Sequence, residues 1–240
     1  MVGPDSWGIA GNPVSHSFTP RMFSIVGSYL ELEAKQIFVE SSSIEDFLEK
    51  TSQIKGDIWI SCTSPLKHLV PSVPGLRSSG AVDGLNQLMR AGGFWWGANT
   101  DGPGFVSACR YIGVEPSIAT LRIRGGGSTA RSIAAAWALE GGLIISETGR
   151  RPLASGPWDG SILETGKADL AVDLDVLPGG GLSADLEGDI QISISYDEGA
   201  SVDEFAIVML AAQHIHAWGS LFLPSRGEEL PSLEDLLSRL

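Results

Sequence analysis

The chain has 240 residues, of which 43% are hydrophobic and 19% charged, a composition that supports a packed core and excludes a disordered protein. Its formal net charge of −13 and its pI of about 4.6 argue against a nucleic-acid partner, which requires a basic face. Two cysteines, Cys62 and Cys109, are too few for a disulfide framework. The first residues lack the pattern of a signal peptide, and no apolar run approaches the roughly 18 residues of a membrane helix, so we expect a soluble cytoplasmic protein.

The first part of the chain alternates between strand and helix patterns. Short apolar runs bounded by turn residues predict strands, and apolar residues at a period of 3.6 predict helices. The elements in order are a strand over 6–10, a helix from Pro20, a strand over 34–39, a helix over 43–53 capped by Ser43, a strand over 58–62, and a hairpin of 85–90 with 94–98. This order predicts an α/β sheet that closes with a hairpin.

The second part of the chain begins a new α/β pattern. Its predicted elements are a helix over 103–111, a strand over 121–124, a helix over 128–139, strands over 143–146, 170–174 and 190–194, a helix over 201–218 and a short helix over 232–240. The segment between 121 and 146 forms one βαβ unit. The stretch 149–160 is rich in Gly and Pro, and we expect no long helix there.

The clearest local motif is the glycine turn of that βαβ unit, Gly125-x-Gly127-x-x-Ala130. In a dinucleotide-binding turn the first glycine permits the sharp bend, the second lets a pyrophosphate approach the backbone, and the small third residue lets helix and strand pack closely. The alternative is a glycine-rich turn that holds no ligand, and the motif by itself leaves that alternative open.

Three polar clusters in the first part each follow a predicted strand. They read HSFTP (16–20), TSPLK (63–67) and NTDG (99–102). Ligands of α/β sheets bind at strand ends, where the hydroxyls of Ser17 and Thr19 suit a carboxylate. Lys67 beside Asp101 would be able to exchange a proton with an alcohol. The alternatives are that Ser17 and Thr19 cap a helix, that Lys67 is a surface lysine, and that Asp101 is a turn residue.

Six motifs, in order along most of the chain, resemble those of the shikimate dehydrogenase family, which reduces 3-dehydroshikimate with NADPH. GNPVSHSFTP is similar to that family's G-N-P-I/V-x-H-S-x-S-P, CTSPLK to V-T-x-P-x-K, and GAVDGL to G-A-V-N-T-L. GANTDGPGF resembles G-x-N-T-D-G-x-G, GGGSTARSIAAAW resembles G-A-G-G-A-A/S-R-A, and MLAAQHIHAW resembles the closing helix. The resemblance implies a two-domain α/β protein, with a substrate-binding catalytic domain over 1–102 that is completed by helices over about 203–240, and a Rossmann-like NADP-binding domain over 103–202.

The resemblance also implies a role for each matching residue. Lys67 and Asp101 would be the catalytic pair, in which Lys67 protonates the forming alkoxide and Asp101 positions the ammonium group. The implied substrate contacts are Ser17, Thr19, Thr63, Asp83, Tyr196 and Gln213. The implied cofactor contacts are Gly125, Gly127, Ser128, Thr129, Ala130, Glu147, Arg150 and Arg151. We expect no metal site, no nucleic-acid or membrane partner, a small-molecule substrate, and a monomer or homodimer.

The cofactor side departs from the family pattern. Where the family has Asn-Arg-Thr after the second Rossmann strand, with the arginine holding the 2′-phosphate, Glu147 ends the strand, and Arg150 and Arg151 follow two and three residues late. Two more acids, Asp173 and Asp175, follow a later strand. An acid at a strand end typically binds the ribose of NAD, so we expect NADP as the cofactor with NAD as the alternative.

The substrate side has one notable departure, because Asp83 stands where the family has a substrate-binding asparagine. The sequence therefore predicts a shikimate dehydrogenase of aromatic amino acid biosynthesis. Two alternatives stay open: a quinate or aminoshikimate dehydrogenase that uses NAD, and a non-catalytic family member with an eroded cofactor site.

Overall fold

The computed structural model describes residues 3–15, 17–78, 84–176, 182–197 and 199–240. The chain divides into two compact units, the first comprising Met1–Thr100 with Gln213–Leu240 and the second comprising Asp101–Ala212. The first boundary falls between Thr100 and Asp101, and the second falls inside a helix, Phe205–Ala217. The division into a substrate-binding domain and an NADP-binding domain stays a prediction.

The first unit contains a six-stranded mixed sheet. Its strands are β1 (Ser6–Gly11), β2 (Lys35–Glu40), β3 (Ile58–Cys62), β4 (Arg77–Ser78), β5 (Gln87–Ala91) and β6 (Phe94–Ala98), in the order β2-β1-β3-β5-β6-β4. β1 runs parallel to β2 and β3, whereas β5 runs antiparallel to β3 and β6. The parallel pairs of β1 arise because helices connect the strands. The antiparallel pair of β5 and β6 arises from a tight turn at Gly92 and Gly93, both with positive φ.

Along the chain, helices connect the strands of the first unit. They are α1 (Thr19–Tyr29), α2 (Ile44–Ser52) and the short α3 (Leu66–Leu69). Ser43 caps α2, because its hydroxyl accepts a hydrogen bond from the N–H of Asp46 at 3.2 Å, which confirms the predicted cap. The sequence did not predict α3, because a single helical turn is too short to show an apolar period.

The second unit is a parallel sheet covered by helices. Its strands are β7 (Thr120–Arg124), β8 (Leu143–Glu147), β9 (Ile162–Leu163), β10 (Leu170–Asp173) and β11 (Ile190–Ile192), in the order β11-β10-β7-β8-β9. Its helices include α4 (Asp101–Tyr111), α5 (Ser128–Leu139) and most of α6 (Phe205–Ala217), and α7 (Leu233–Leu237) follows in the first unit. In the sheet, β8 lies on one side of β7 and β10 lies on the other. The strand order therefore reverses at β7, as in a Rossmann-like fold.

Aromatic side chains form much of the core of the first unit. Trp7, Phe23, Trp59, Trp218 and Phe222 pack together. The rings of Trp59 and Phe222 stack with centroids 5.2 Å apart. This packing joins the C-terminal segment to the layer of β1 and β3, so the helices after residue 212 belong to the first unit.

Within the described ranges, the 18-residue helical segment Phe205–Phe222 is long and apolar enough to cross a membrane. The expectation that no apolar run approaches that length is therefore wrong. Of this segment, 56% is buried inside the protein, as in a core helix. Trp218 of this segment is fully buried, because its ring packs against other aromatic side chains of the protein.

Candidate functional site

Lys67 lies on α3, directly after β3. Its backbone is fixed on both sides, because its N–H donates to the carbonyl of Thr63 at 3.1 Å and its carbonyl accepts from the N–H of Leu85, also at 3.1 Å. Burial raises the pKa of the Cys62 thiol, and the charge of Lys67 opposes that rise, so the ammonium group lies within electrostatic reach of the end of β3. The half-buried Lys67 is therefore held at a strand end, as the sequence predicted.

The carboxyl ends of β1 and β3 lie side by side. The N–H of Thr63 donates to the carbonyl of Ala10 at 2.9 Å, and the N–H of Asn12 donates to the carbonyl of Ser64 at 3.0 Å. A side chain on Gly11 would come within 2.3 Å of the Thr63 methyl group. The glycine is required because it lets these two strand ends approach.

Ser17 lies just before α1, and Thr19 is the first residue of the helix. The hydroxyl oxygen of each lies within hydrogen-bond distance of another group of the protein. Ser17 Oγ accepts from the N–H of Thr19 at 3.2 Å, but Phe18 is the N-cap residue of α1, so the interpretation of Ser17 and Thr19 as helix caps is wrong. Thr19 Oγ1 lies 3.2 Å from Nε2 of the fully buried His214. A hydroxyl whose oxygen accepts a hydrogen bond keeps its own hydrogen for donation, so the helix contact does not exclude ligand binding.

A buried amide network holds the chain just before Asp101. The N–H of Thr100 donates to Asn86 Oδ1 at 2.7 Å, and Asn86 Nδ2 donates to Thr100 Oγ1 at 3.0 Å. Ser61 Oγ donates to Gln87 Oε1 at 2.8 Å. Thr100, the residue before Asp101, is therefore tied by side-chain hydrogen bonds to the start of β5 within the first unit.

Asp101 is the first residue of α4 and is fully buried, so the interpretation of Asp101 as a turn residue is wrong. Thr129 Oγ1 donates to Asp101 Oδ2 at 3.0 Å. The N–H of Gly102 donates to Ser132 Oγ at 2.9 Å, and a Cβ on Gly102 would lie 2.1 Å from the Ser132 carbonyl oxygen. The close packing of α4 on α5 thus fixes the carboxylate beside the first turn of α5. The pairing of Asp101 with Lys67 stays a prediction, since the two residues belong to different units.

The glycine turn after β7 has the features of an anion-binding turn. Gly125 has φ +107°, a conformation that favours glycine, and no atom of the described residues lies within 4 Å of a Cβ placed on Gly127. In the part of the chain that the structure describes, no side chain caps α5, so no such cap takes the first N–H groups of the helix. Ser128 Oγ is buried without a hydrogen-bond partner among the described residues. These features fit the pyrophosphate of a dinucleotide.

Ion pairs occupy the carboxyl ends of β7, β8 and β10. Arg124 contacts Glu147 at 3.1 Å, Asp173 at 3.1 Å and Asp185 at 3.0 Å. Arg122 contacts the other oxygen of Glu147 at 2.8 Å. The hydrogen bond from Arg124 lowers the pKa of Asp185. Because two arginines hold Glu147, its charge is largely compensated, and it repels a nearby phosphate less than the sequence suggested.

Asp175 lies directly against the glycine turn. Its carboxylate accepts a hydrogen bond from the N–H of Arg150, and its Oδ1 lies 3.7 Å from Arg150 Nε. A Cβ on Gly125 would be 3.1 Å from Asp175 Oδ1, and a Cβ on Gly149 would collide with Oδ2. A carboxylate here adds negative charge where a bound phosphate would lie, which opposes anion binding. The side chains of Arg150 and Arg151 are exposed.

The remaining predicted site residues are distributed over both units. Thr63 is half-buried and Gln213 buried in the first unit, whereas Tyr196 is half-buried and Ala130 buried in the second. Asp83 lies outside the described residues. In the described part of the chain, no three or more His, Cys, Asp or Glu side chains cluster as a metal site requires.

The sequence analysis missed Asn86, Arg124 and His214. A signal existed for Asn86, because Asn86-Gln87-Leu88 resembles the family's N-T-L step as well as the earlier run at Asp83 does. No spacing rule predicts that Arg124 collects carboxylates from three other segments. The contact of His214 with Thr19 joins residues 195 positions apart, beyond the reach of any local pattern.

Comparison with curated proteins identifies shikimate dehydrogenases as relatives, although no family model matches the chain. The shikimate dehydrogenase (NADP(+)) of Rubrobacter xylanophilus is 33% identical over 137 residues, which cover 54% of this chain and 47% of the relative. That of Hahella chejuensis is 29% identical over 201 residues, which cover 78% of this chain and 72% of the relative. The chain spans about half the length of the first curated relatives it matches.

Comparison with solved structures identifies shikimate 5-dehydrogenases as proteins of similar fold. The shikimate 5-dehydrogenase of Thermus thermophilus, in complex with NADP(H) and shikimate, matches with a TM-score of 0.77 at 21% identity, over 100% of this chain and 98% of that chain. At this identity the match shows the fold. The comparisons therefore confirm the predicted resemblance to the shikimate dehydrogenase family and the predicted α/β fold with a Rossmann-like domain.

Proposed function

We propose that this protein is a soluble cytoplasmic shikimate dehydrogenase, which interconverts shikimate and 3-dehydroshikimate with NADP in aromatic amino acid biosynthesis. One observation carries the proposal: the ends of β1 and β3 lie side by side, and Lys67, just after β3, is held through its backbone on both sides. Such strand ends are where α/β proteins bind ligands. The relatives from Rubrobacter xylanophilus and Hahella chejuensis are shikimate dehydrogenases, which supports the same activity.

Substrate binding is assigned to polar side chains of the first unit and to Tyr196. The hydroxyls of Ser17 and Thr19 donate hydrogen bonds to the substrate carboxylate. Thr63 and Gln213 contact the ring hydroxyls, with Tyr196 on the same ligand. Asp83 keeps its proposed role as a hydrogen-bond acceptor for a ring hydroxyl.

Asn86 extends the set of proposed substrate contacts. An ionised carboxylate such as that of Asp83 accepts hydrogen bonds but cannot donate them, whereas an amide does both. Asn86 lies at the start of β5, and its side chain already bonds with Thr100, next to Asp101. We infer that Asn86 supplies the amide that the family pattern places in this site.

Proton transfer is assigned to Lys67. Its ammonium Nζ gives a proton to the alkoxide oxygen as the carbonyl is reduced, and its neutral amine takes that proton back in the oxidation of the alcohol. The carboxylate of Asp101, which Thr129 holds at 3.0 Å, positions the ammonium group. The nicotinamide supplies or accepts the hydride when it is bound.

Cofactor binding is assigned to the second unit. The backbone of Gly125 and Gly127 and the first turn of α5, with Ser128, Thr129 and Ala130, receive the pyrophosphate. Arg150 and Arg151, on an exposed segment, reach the 2′-phosphate of NADP, because paired guanidinium groups suit a phosphate.

A second candidate function follows from the acids near the glycine turn. Glu147 and Asp175 disfavour a 2′-phosphate, which favours a quinate or aminoshikimate dehydrogenase that uses NAD. The same acids support a third reading, a family member without turnover whose cofactor site is eroded.

Steady-state assays of shikimate and quinate, each with NADP and with NAD, test the proposal. We expect the highest kcat/KM for shikimate with NADP. Turnover with NAD and quinate only would favour the second candidate, and no turnover in any of the four assays would favour the third.

A further inference from the structure

His214 and Thr19 form a hydrogen bond inside the first unit. Thr19 Oγ1 lies 3.2 Å from His214 Nε2, His214 is 0% exposed and Thr19 is 2% exposed. The imidazole packs edge-on against Phe23, with ring centroids 5.0 Å apart and an interplanar angle of 85°. The histidine ring therefore has one fixed orientation relative to the hydroxyl.

The protonation state of His214 decides which of the two groups donates. Burial lowers the pKa of His214 to about 3, so the imidazole is neutral at physiological pH and has one donor and one acceptor nitrogen. Nδ1 is buried without a hydrogen-bond partner among the described residues. Protonation at Nδ1 would bury an unpaired N–H, which proteins rarely tolerate, whereas protonation at Nε2 leaves only an unpaired acceptor. The Nε2–H therefore donates to Thr19 Oγ1.

This direction determines what Thr19 offers to a ligand. Because Thr19 Oγ1 accepts from His214, its own hydrogen remains available for donation. The same holds for Ser17, whose Oγ accepts from the N–H of Thr19 at 3.2 Å. Two hydroxyl donors, two residues apart at the start of α1, match the two oxygens of a carboxylate.

We propose that His214 is a positioning residue for the substrate carboxylate, because its Nε2–H donates to Thr19 Oγ1 and thereby directs the Thr19 hydroxyl hydrogen toward the ligand. This inference rests on the proposed function. It assigns His214 no contact with the substrate, so its effect must pass through Thr19.

A double-mutant cycle on shikimate binding tests that dependence, with Kd measured by calorimetry for the wild type, His214→Leu, Thr19→Val and the double variant. We expect His214→Leu to weaken shikimate binding about fivefold or more when Thr19 is present, a loss within the range of one hydrogen bond. In the Thr19→Val background the same change should alter Kd less than about twofold. His214→Gln, which keeps a donor of similar reach, should recover part of the loss.

Two further measurements separate positioning from a structural effect. Trp218→Phe is the control, because it disturbs the same aromatic cluster, in which the ring centroids of Trp218 and Phe23 lie 6.0 Å apart. Trp218 makes no hydrogen bond to Thr19, so the Kd for shikimate should stay within about twofold of the wild type. Nitrogen-15 NMR of His214 should show a neutral imidazole protonated at Nε2. NADP affinity should not change in any of these variants.

Several outcomes overturn the inference. Equal losses from His214→Leu in both backgrounds, or an equal loss from Trp218→Phe, would assign His214 a structural role only. A proton on Nδ1 would reverse the hydrogen bond and contradict the proposal directly. If the wild type binds no shikimate at all, the proposed function itself fails and this inference fails with it, whereas shikimate binding with additive losses rejects the inference alone.

Discussion

The two units of this chain carry opposite chemistry at the ends of their strands. In the first unit, the ends of β1 and β3 carry hydroxyls and an ammonium group, here Ser17, Thr19 and Lys67, which suit an anionic polyol. In the second unit, the ends of β8 and β10 carry acids, and Arg124 pairs with one acid at each of these ends and with Asp185 from a later segment. The first unit therefore presents donors to a ligand, whereas the charges of the second are largely paired with one another.

This difference shows where the chain departs from the sequence pattern of its relatives. The substrate motifs keep their hydroxyl and amine groups, with Asp83 in place of an asparagine. The glycines of the turn at Gly125 and Gly127 are kept, whereas Glu147 and Asp175 add negative charge beside a turn that would receive phosphates. On the proposed function, we therefore expect cofactor affinity and cofactor choice to distinguish this protein most.

The largest expected effect is that of Lys67→Ala. Loss of the proton donor should lower kcat by about two to four orders of magnitude, the size of a general acid–base contribution, and change KM much less. The measurement is steady-state oxidation of shikimate. Lys50→Ala is the control, because exposed Lys50 pairs with its helix neighbour Asp46 and with the carbonyl of Glu40. A near wild-type kcat for Lys67→Ala would refute the assignment.

The next effect concerns the carboxylate clamp. Combining Ser17→Ala with Thr19→Val should weaken shikimate binding strongly, because each lost hydrogen bond to a charged group costs about 1.5–3 kcal/mol. NADP affinity should be almost unchanged, which calorimetry with both ligands checks. An equal loss for substrate and cofactor would instead indicate a damaged helix start, since Ser17 also accepts from the N–H of Thr19.

A smaller effect should distinguish NADP from NAD. Replacement of Arg150 and Arg151 by alanine should weaken NADP binding about tenfold, or about 1.4 kcal/mol, and leave NAD binding nearly unchanged, because only NADP carries the 2′-phosphate. Kd values for both cofactors test this expectation. A wild-type preference for NAD, or an unchanged Kd for NADP in the double variant, would contradict it.

The smallest expected effect tests the negative charge at the glycine turn. Asp175→Asn should tighten the binding of NADP and NAD by about threefold, because the change removes a partly exposed charge near the phosphates but keeps an acceptor for the N–H of Arg150. Asp189→Asn is the matched control, since it removes an exposed charge paired with Lys167 at the opposite ends of the strands. Weaker binding by Asp175→Asn would show that the carboxylate itself contacts the cofactor.

The sequence predicted the elements well where the apolar period was long or the turn chemistry explicit. The helix predicted over 128–139 coincides with α5, and the strand over 58–62 coincides with β3. The sequence missed α3, because four residues carry no period, and placed the start of α4 after Asp101, because Asp101-Gly102 is typical of a turn. Local sequence patterns predict local structure, and both errors occur where packing against the rest of the chain determines the backbone conformation.

Long-range contacts at the site were not predictable from the sequence. The glycine turn was recognised, but its neighbour Asp175 comes from a segment about fifty residues away, and only the folded chain brings the two together. The ion pairs of Glu147 were not predictable either. From the sequence its charge was expected to repel a phosphate, whereas in the structure Arg122 and Arg124 each donate to one of its carboxylate oxygens. Sequence reasoning identifies which chemical groups are present, whereas their mutual compensation depends on the fold.

The most direct test of the account is to follow the hydride itself. Shikimate that carries deuterium on the carbon of the reacting hydroxyl would be incubated with NADP and the wild-type protein, and the reduced cofactor would be analysed by mass spectrometry. We expect the deuterium to appear in the reduced nicotinamide, and we expect Lys67→Ala to slow its appearance by about two orders of magnitude or more. Absence of deuterium from the cofactor, with protein that binds both shikimate and NADP, would contradict the central claim that this chain is a shikimate dehydrogenase.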